Sequence, residues 1–138
     1  MKKSSLFIIT CTIATISFGQ DVKESEIPEV VKAAFKKAYP TITNAKWEKE
    51  EANYEAEFDV NKIDNSVVLD GSGEILETEV EIHSTALPQA ALDYLVKNHS
   101  GEKIAEAAKI TDSKGLVKFE AEIKGKDIFF DANGNFIK

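Results

Sequence analysis

Cysteine is nearly missing from this chain: one residue in 138, Cys11. A single cysteine excludes an internal disulfide. With only two histidines, His83 and His99, set on different predicted elements, it also leaves no ligand spacing for structural zinc. No apolar run reaches the roughly 20 residues that a membrane helix needs. The longest, Leu6 to Phe18, follows the basic start Met1-Lys2-Lys3 and precedes the small residue Gly19, which is the pattern of a signal peptide cleaved after Gly19. Cys11 as the lipid-bearing cysteine of a lipoprotein is the weaker alternative, because Ile8-Ile9-Thr10 lacks the usual small pair.

Cleavage would leave no cysteine in residues 20–138, so the core must hold the domain without a staple. It would also remove Lys2 and Lys3, leaving 15 of 17 basic residues against 24 acidic ones, a formal charge of −9. Such an excess disfavours nucleic acid, whose phosphates need the opposite sign. After cleavage nothing predicts stable membrane insertion.

What the chain does contain is repetition. VVLDGSGEIL at 67–76 and IFFDANGNFI at 128–137 each place Asp, then Ser or Asn, then Gly where a type I turn with a left-handed glycine needs them. An EF-hand calcium loop would need glycine at its sixth position and glutamate at its twelfth; neither 70–81 nor 131–138 offers both. Upstream, Tyr54-Glu55-Ala56-Glu57-Phe58 answers Phe119-Glu120-Ala121-Glu122-Ile123, and Ile27-Pro28-Glu29 answers Leu87-Pro88-Gln89. Two copies, about 27–82 and 87–138, follow.

Each copy begins with a helix. Val31, Ala34, Phe35 and Ala38 form one apolar stripe, and Leu87, Ala91, Tyr94 and Leu95 form another. The period then drops from 3.6 to 2, with Ala45, Trp47, Tyr54, Ala56 and Phe58 alternating with charged residues, as in antiparallel strands with one wet face. Residues 102–110, EKIAEAAKI, are helix formers by propensity, but Gly101 and the repeat make them a strand with Ile104, Ala108 and Ile110 inward. The expected class is α+β: two α-β4 units in tandem, one antiparallel sheet and helices on one face.

The order of the Trp47-Glu48-Lys49 strand, the Phe-Glu-Ala-Glu-type strands, LDGSGEILE and the Leu-Pro-x-x-Ala helix resembles the bacterial PepSY-like family of small exported proteins. That family is similar in architecture to the beta-lactamase inhibitory protein, whose joined sheet presents a face to a protein partner. The resemblance implies this fold and a general binding role; no cofactor is expected from the residues. It also implies disulfide-braced repeats, which this chain does not have.

No catalytic constellation assembles. Ser84 and Thr85 adjoin His83, but neighbours on an extended chain point to opposite sides. Glu55, Glu57, Asp59, Glu77, Glu79, Glu81, Glu120 and Glu122 share the polar phase of strands, which reads as a solvated face. Lys46, Lys118 and Lys124 offset it only in part, so it is also a candidate docking face for a protein partner, centred on Glu55, Glu57, Glu77 and Glu79. A small-ligand or cation site on the same face and an acid–base hydrolase are the alternatives; converging carboxylates of raised pKa would favour the hydrolase. Trp47 and Tyr54 are either core or binding anchors. The hairpin at 59–66 is four residues longer than its counterpart and offers Lys62, Ile63 and Asp64 as a recognition tip.

Overall fold

The computed structural model describes residues 19–137; the signal-peptide and Cys11 readings lie outside the described residues. Eight strands form one meander in chain order: β1 (Gln20–Val22), β2 (Lys46–Glu50), β3 (Asn53–Val60), β4 (Ile63–Asp70), β5 (Ile75–Glu81), β6 (Ile104–Asp112), β7 (Val117–Ile123) and β8 (Lys126–Asp131). Every neighbouring pair is antiparallel. Two helices interrupt the meander, α1 (Glu29–Ala38) before β2 and α2 (Gln89–Asn98) before β6.

Both helices start after a proline at the N-cap, Pro28 and Pro88, where a missing N–H costs no helical bond. Val31 and Phe35, one turn apart, are buried from α1, and Ala91 and Leu95 from α2. Ala38 is exposed instead of closing the stripe. Its place is taken by Tyr39 just beyond the helix end, whose ring lies 4.6 Å from that of Phe58.

There are two cores, one per repeat, and they match position by position. Val31, Phe35, Trp47, Ala56, Phe58 and Leu69 of the first correspond to Ala91, Leu95, Ala107, Ala121, Ile123 and Phe130 of the second. Volumes compensate within each set: Trp47 goes with Leu69, and Ala107 with Phe130, so each space is filled by a different large residue. Phe58, Asn65, Val80, Lys109, Phe119 and Phe130 form one cross-strand row. Since Phe58 is in the first core and Phe130 in the second, both helices cover the same side of the sheet.

The turn motif occurs three times. Asp70, Asp112 and Asp131 each accept backbone N–H groups two and four residues on, and Gly73, Gly115 and Gly134 each adopt positive φ. The middle copy, Asp112-Ser113-Lys114-Gly115, joins β6 to β7. The last leads only to a single bridge, Phe136 against Phe130, so the fourth strand of the second repeat is reduced to one residue while β1 adds a strand at the opposite edge.

Two expectations change. Residues 104–112 are a strand, but a bulge between Ile104 and Glu106 switches its phase: Ala107 enters the helix-side core, while Ala108 and Ile110 point to the other face. The extra residues at 59–66 are not a loop. They lengthen β3 and β4, and the turn itself is only Asn61-Lys62, at φ 53° and 68°, like Lys124-Gly125 at 53° and 72° in the second repeat.

Candidate functional site

The helix-free face is where polar residues of the strands should be wet, and much of it is dry. Its rows run Lys46, Glu57, Ser66, Glu79, Ile110, Lys118 and Glu48, Glu55, Val68, Glu77, Asp112. Glu48, Glu55, Glu79 and Glu120 are only 4, 6, 3 and 5 % exposed. Ala108, Ile110 and Phe129 form an equally buried apolar floor beside them. Among the described residues no helix covers this side; the carboxylates crowd one another on adjacent rows, and Gly19 lies against Glu48.

Burial and crowding set the electrostatics. Burial, then the charges of Glu57, Glu48 and Glu50, push Glu55 up to about 8, with the Ser66 hydroxyl opposing. Burial, then Glu55, Glu77 and Asp127, push Glu79 up to about 8, with Lys118 opposing. Glu120 reaches about 9 through burial and the charges of Glu79 and Asp127. Glu57 and Asp127 are also raised, chiefly by burial. Each of these five carboxyls therefore moves up, toward the neutral form.

Two ammonium groups relieve the repulsion from the flanks. Lys46 Nζ pairs with Glu48 and lies 3.3 Å from Asp21 and 3.7 Å from Glu57. Lys118 Nζ is 3.3 Å from Glu77 and stands 5.4 Å from the centre of the Phe129 ring. One buried oxygen on each of Glu55, Glu57, Glu77, Glu79 and Glu106 still has no hydrogen-bond partner. Each such group costs about 1–3 kcal/mol while unsatisfied.

Glu55, Glu57, Glu77 and Glu79 are thus brought together, joined by Glu48, Ser66, Glu120 and Asp127, which were not singled out as site residues. Glu120 occupies the slot of Glu55 in the second repeat, a signal legible in the repeated Glu-Ala-Glu; the contribution of Ser66 follows only from strand register. Trp47 and Tyr54 point to the opposite side. Trp47 is 4 % exposed in the first core, edge-on to Phe35 at 5.2 Å, and Tyr54 packs half-buried against the same core. Lys62 sits in the two-residue turn, while Ile63 and Asp64 begin β4. Asp64 faces Asp59 across the hairpin, and their hydrogen bond with partial burial pushes Asp64 up to about 6.

The histidines have local roles. His83 caps the turn at 84–86 by accepting the Thr85 N–H, and His99 Nδ1 lies 3.1 Å from Glu102. A cleft of about 360 Å³ runs beside α1, lined by Lys32, Phe35, Ile42 and Trp47 among others, with none of the free-face carboxylates.

Comparison with known proteins bears on the fold. A family model described as "Putative beta-lactamase-inhibitor-like, PepSY-like" matches residues 15–77 and again 52–138. A structure from Bacteroides eggerthii, described among "putative periplasmic proteins", is similar with a TM-score of 0.73 at 21% identity, covering 80% of this chain and 86% of that one. A DUF2874 family protein from Bacteroides uniformis gives 0.72 at 24% identity over 80% and 86%. A BLIP-like protein from Bacteroides fragilis gives 0.62 at 23% over 80% and 83%. At these identities the likeness is one of fold. No curated protein matches the chain.

Proposed function

The chain belongs to the PepSY-like family, and from that premise we propose an exported, non-enzymatic binding protein that docks a protein partner carrying lysine or arginine side chains on its helix-free face. The observation that carries this reading is the set of buried carboxylate oxygens on Glu55, Glu57, Glu77 and Glu79 with no donor of their own. A partner's ammonium or guanidinium would supply that donor and the missing charge at once, with Ile110 and Phe129 as an apolar floor for its aliphatic stem. Inhibition of an enzyme is the narrower form of this reading and accords with the family's description. Export rests on the leader-like residues 1–19, and the periplasmic description of the Bacteroides eggerthii protein agrees with it.

The test is a chemical-shift titration with short lysine- and arginine-containing peptides at low and high salt, beside affinity capture from an envelope extract. A variant with Glu55, Glu57, Glu77 and Glu79 changed to Gln serves as the control. Shifts centred on Glu55, Glu57, Glu77 and Glu79 and on the floor residues Ile110 and Phe129, abolished by salt and by the variant, are expected. Peptide binding indifferent to both would overturn the docking face.

One observation favours a second reading. Carboxyls raised to about 8 and 9 are protonated at neutral pH, as a general acid must be. Glycoside cleavage needs an ionised carboxylate beside that acid, whereas Glu79, Glu120 and Asp127 are all displaced in the same direction. Turnover of aryl glycosides lost in Glu120→Gln would establish this reading; no turnover by the wild type would remove it.

A further inference from the structure

The cleft beside α1 is built from one face of that helix and the segment that follows it. Glu29, Lys32, Ala33 and Lys36 are spaced i, i+3, i+4, i+7, so a single stripe of α1 borders it. Ile42 and Thr43, between α1 and β2, line it as well, and the buried rings of Phe35 and Trp47 form its floor. Its volume of about 360 Å³ falls within the range of small-molecule sites.

The two lysines are not equivalent. Lys32 Nζ lies 2.6 Å from Glu29, which offsets its charge, and its side chain is only 24 % exposed, so its stem covers apolar surface. Lys36 has no ion pair among the described residues. It sits in the last turn of α1, about 10 Å along the helix from Glu29. Glu24, the other acid of the lining, comes before the helix starts. The Lys36 end therefore carries an unpaired positive charge beside an aromatic floor.

From this geometry we propose that the cleft binds a small monocarboxylic acid, its carboxylate at Lys36 and its apolar chain or ring against Phe35 and Trp47. An ammonium group without a partner is complemented by an anion, and a dry aromatic floor by an apolar body. At about 30 Å³ for each water-sized group, the volume takes roughly a dozen non-hydrogen atoms, the size of a short fatty acid or an arylpropionic acid.

The second repeat keeps the helix and strand but not this chemistry. Leu92 and Val96 stand where the lysines would, Asp93 in place of Ala33, and Ala107 in place of Trp47. Glu102 replaces Ile42 and pairs with His99 and Lys124. The fold alone thus does not demand the lysines or the indole. The cleft shares no residue with the acidic face, so it and the docking reading fail separately.

The experiment is titration of the purified protein with octanoate and with phenylpropionate, read by the emission of Trp47, the one tryptophan. Octanol and octylammonium serve as uncharged and oppositely charged probes. A saturable change with both acids is expected, with octanoate bound at least roughly fivefold more tightly than octylammonium. Lys36→Gln should weaken octanoate roughly three- to tenfold and leave octanol within about twofold. Lys37→Gln removes the same charge about 100° round the helix, outside the lining, and should leave both within about twofold. Ala33→Phe, at an exposed helix position, should fill the cleft and abolish binding without lowering the melting temperature. Absence of a saturable response in the wild type would overturn the proposal, as would octylammonium bound as tightly as octanoate, or equal weakening by Lys36→Gln and Lys37→Gln.

Discussion

Gly134 lies so close to the first turn of α2 that a Cβ added to it would stand 2.8 Å from the amide nitrogen of Ala91. Gly73 has the same relation to α1, where its Cβ would meet the Val30 carbonyl at 2.9 Å and the Ala34 methyl at 3.0 Å. The repeated turn is therefore also a contact between each repeat's sheet and its helix.

The three turn glycines should separate in denaturant. Gly73→Ala and Gly134→Ala must absorb both a left-handed backbone and a collision with helix backbone, about 2–4 kcal/mol each. Gly115 has the same positive φ but nothing within 4 Å of an added Cβ, so Gly115→Ala should cost only about 1–2 kcal/mol. Urea midpoints of the three variants check this; equal losses would show that the helix contact is without consequence.

Stability should fall as pH rises from about 5 to 9. Glu55, Glu79 and Glu120 hold their protons to about 8, 8 and 9 when folded but release them near 4.5 when unfolded. The native state thus binds more protons across that interval, and its advantage is lost as pH passes the folded values. Thermal melts should show a midpoint at least roughly 5 °C higher at pH 5 than at pH 9. A triple glutamine variant should flatten the profile; an unchanged slope would refute the assignment.

Trp47→Ala should cost about 3–5 kcal/mol, because an indole packed edge-on to Phe35 leaves a cavity that the strand cannot close. Trp47→Phe should fold and keep any binding by the acidic face, which lies on the other side of the sheet. Loss of partner binding in a folded Trp47→Phe variant would contradict that placement.

Lys62→Gly should stabilise the protein by about 0.5–1 kcal/mol, since Asn61 and Lys62 both hold positive φ in a two-residue turn that favours Asn-Gly. Chemical denaturation measures this directly. A destabilised variant would mean that the Lys62 side chain itself supports the hairpin.

Much of the architecture was legible because its signals are local. The i, i+4 pairs Val31/Phe35 and Ala91/Leu95, the proline starts and the Asp-x-x-Gly turns at 70 and 131 each act within a few residues. Repetition then carried 104–112 to strand against its own helix propensity. The third turn, at Asp112, lacks that signal because its first flank is Thr111, where the other two have Leu69 and Phe130; only its second flank, Val117, repeats the apolar residue of Ile75 and Phe136.

The sequence by itself determined which residues alternate along each strand, and hence that Glu55, Glu57, Glu77 and Glu79 share a face opposite Trp47 and Ala56. Only the tertiary structure decided that this face is dry. Exposure of a strand residue depends on how eight strands coil and which neighbours stand on adjacent rows, and one bulge beside Ile104 was enough to exchange Ala107 and Ala108 between the two sides. Side-chain alternation is a property of one strand, fixed by backbone geometry. Burial belongs to the whole sheet, so the raised carboxyls and the Glu48, Glu55, Glu57 and Ser66 cluster could be seen only once it was assembled.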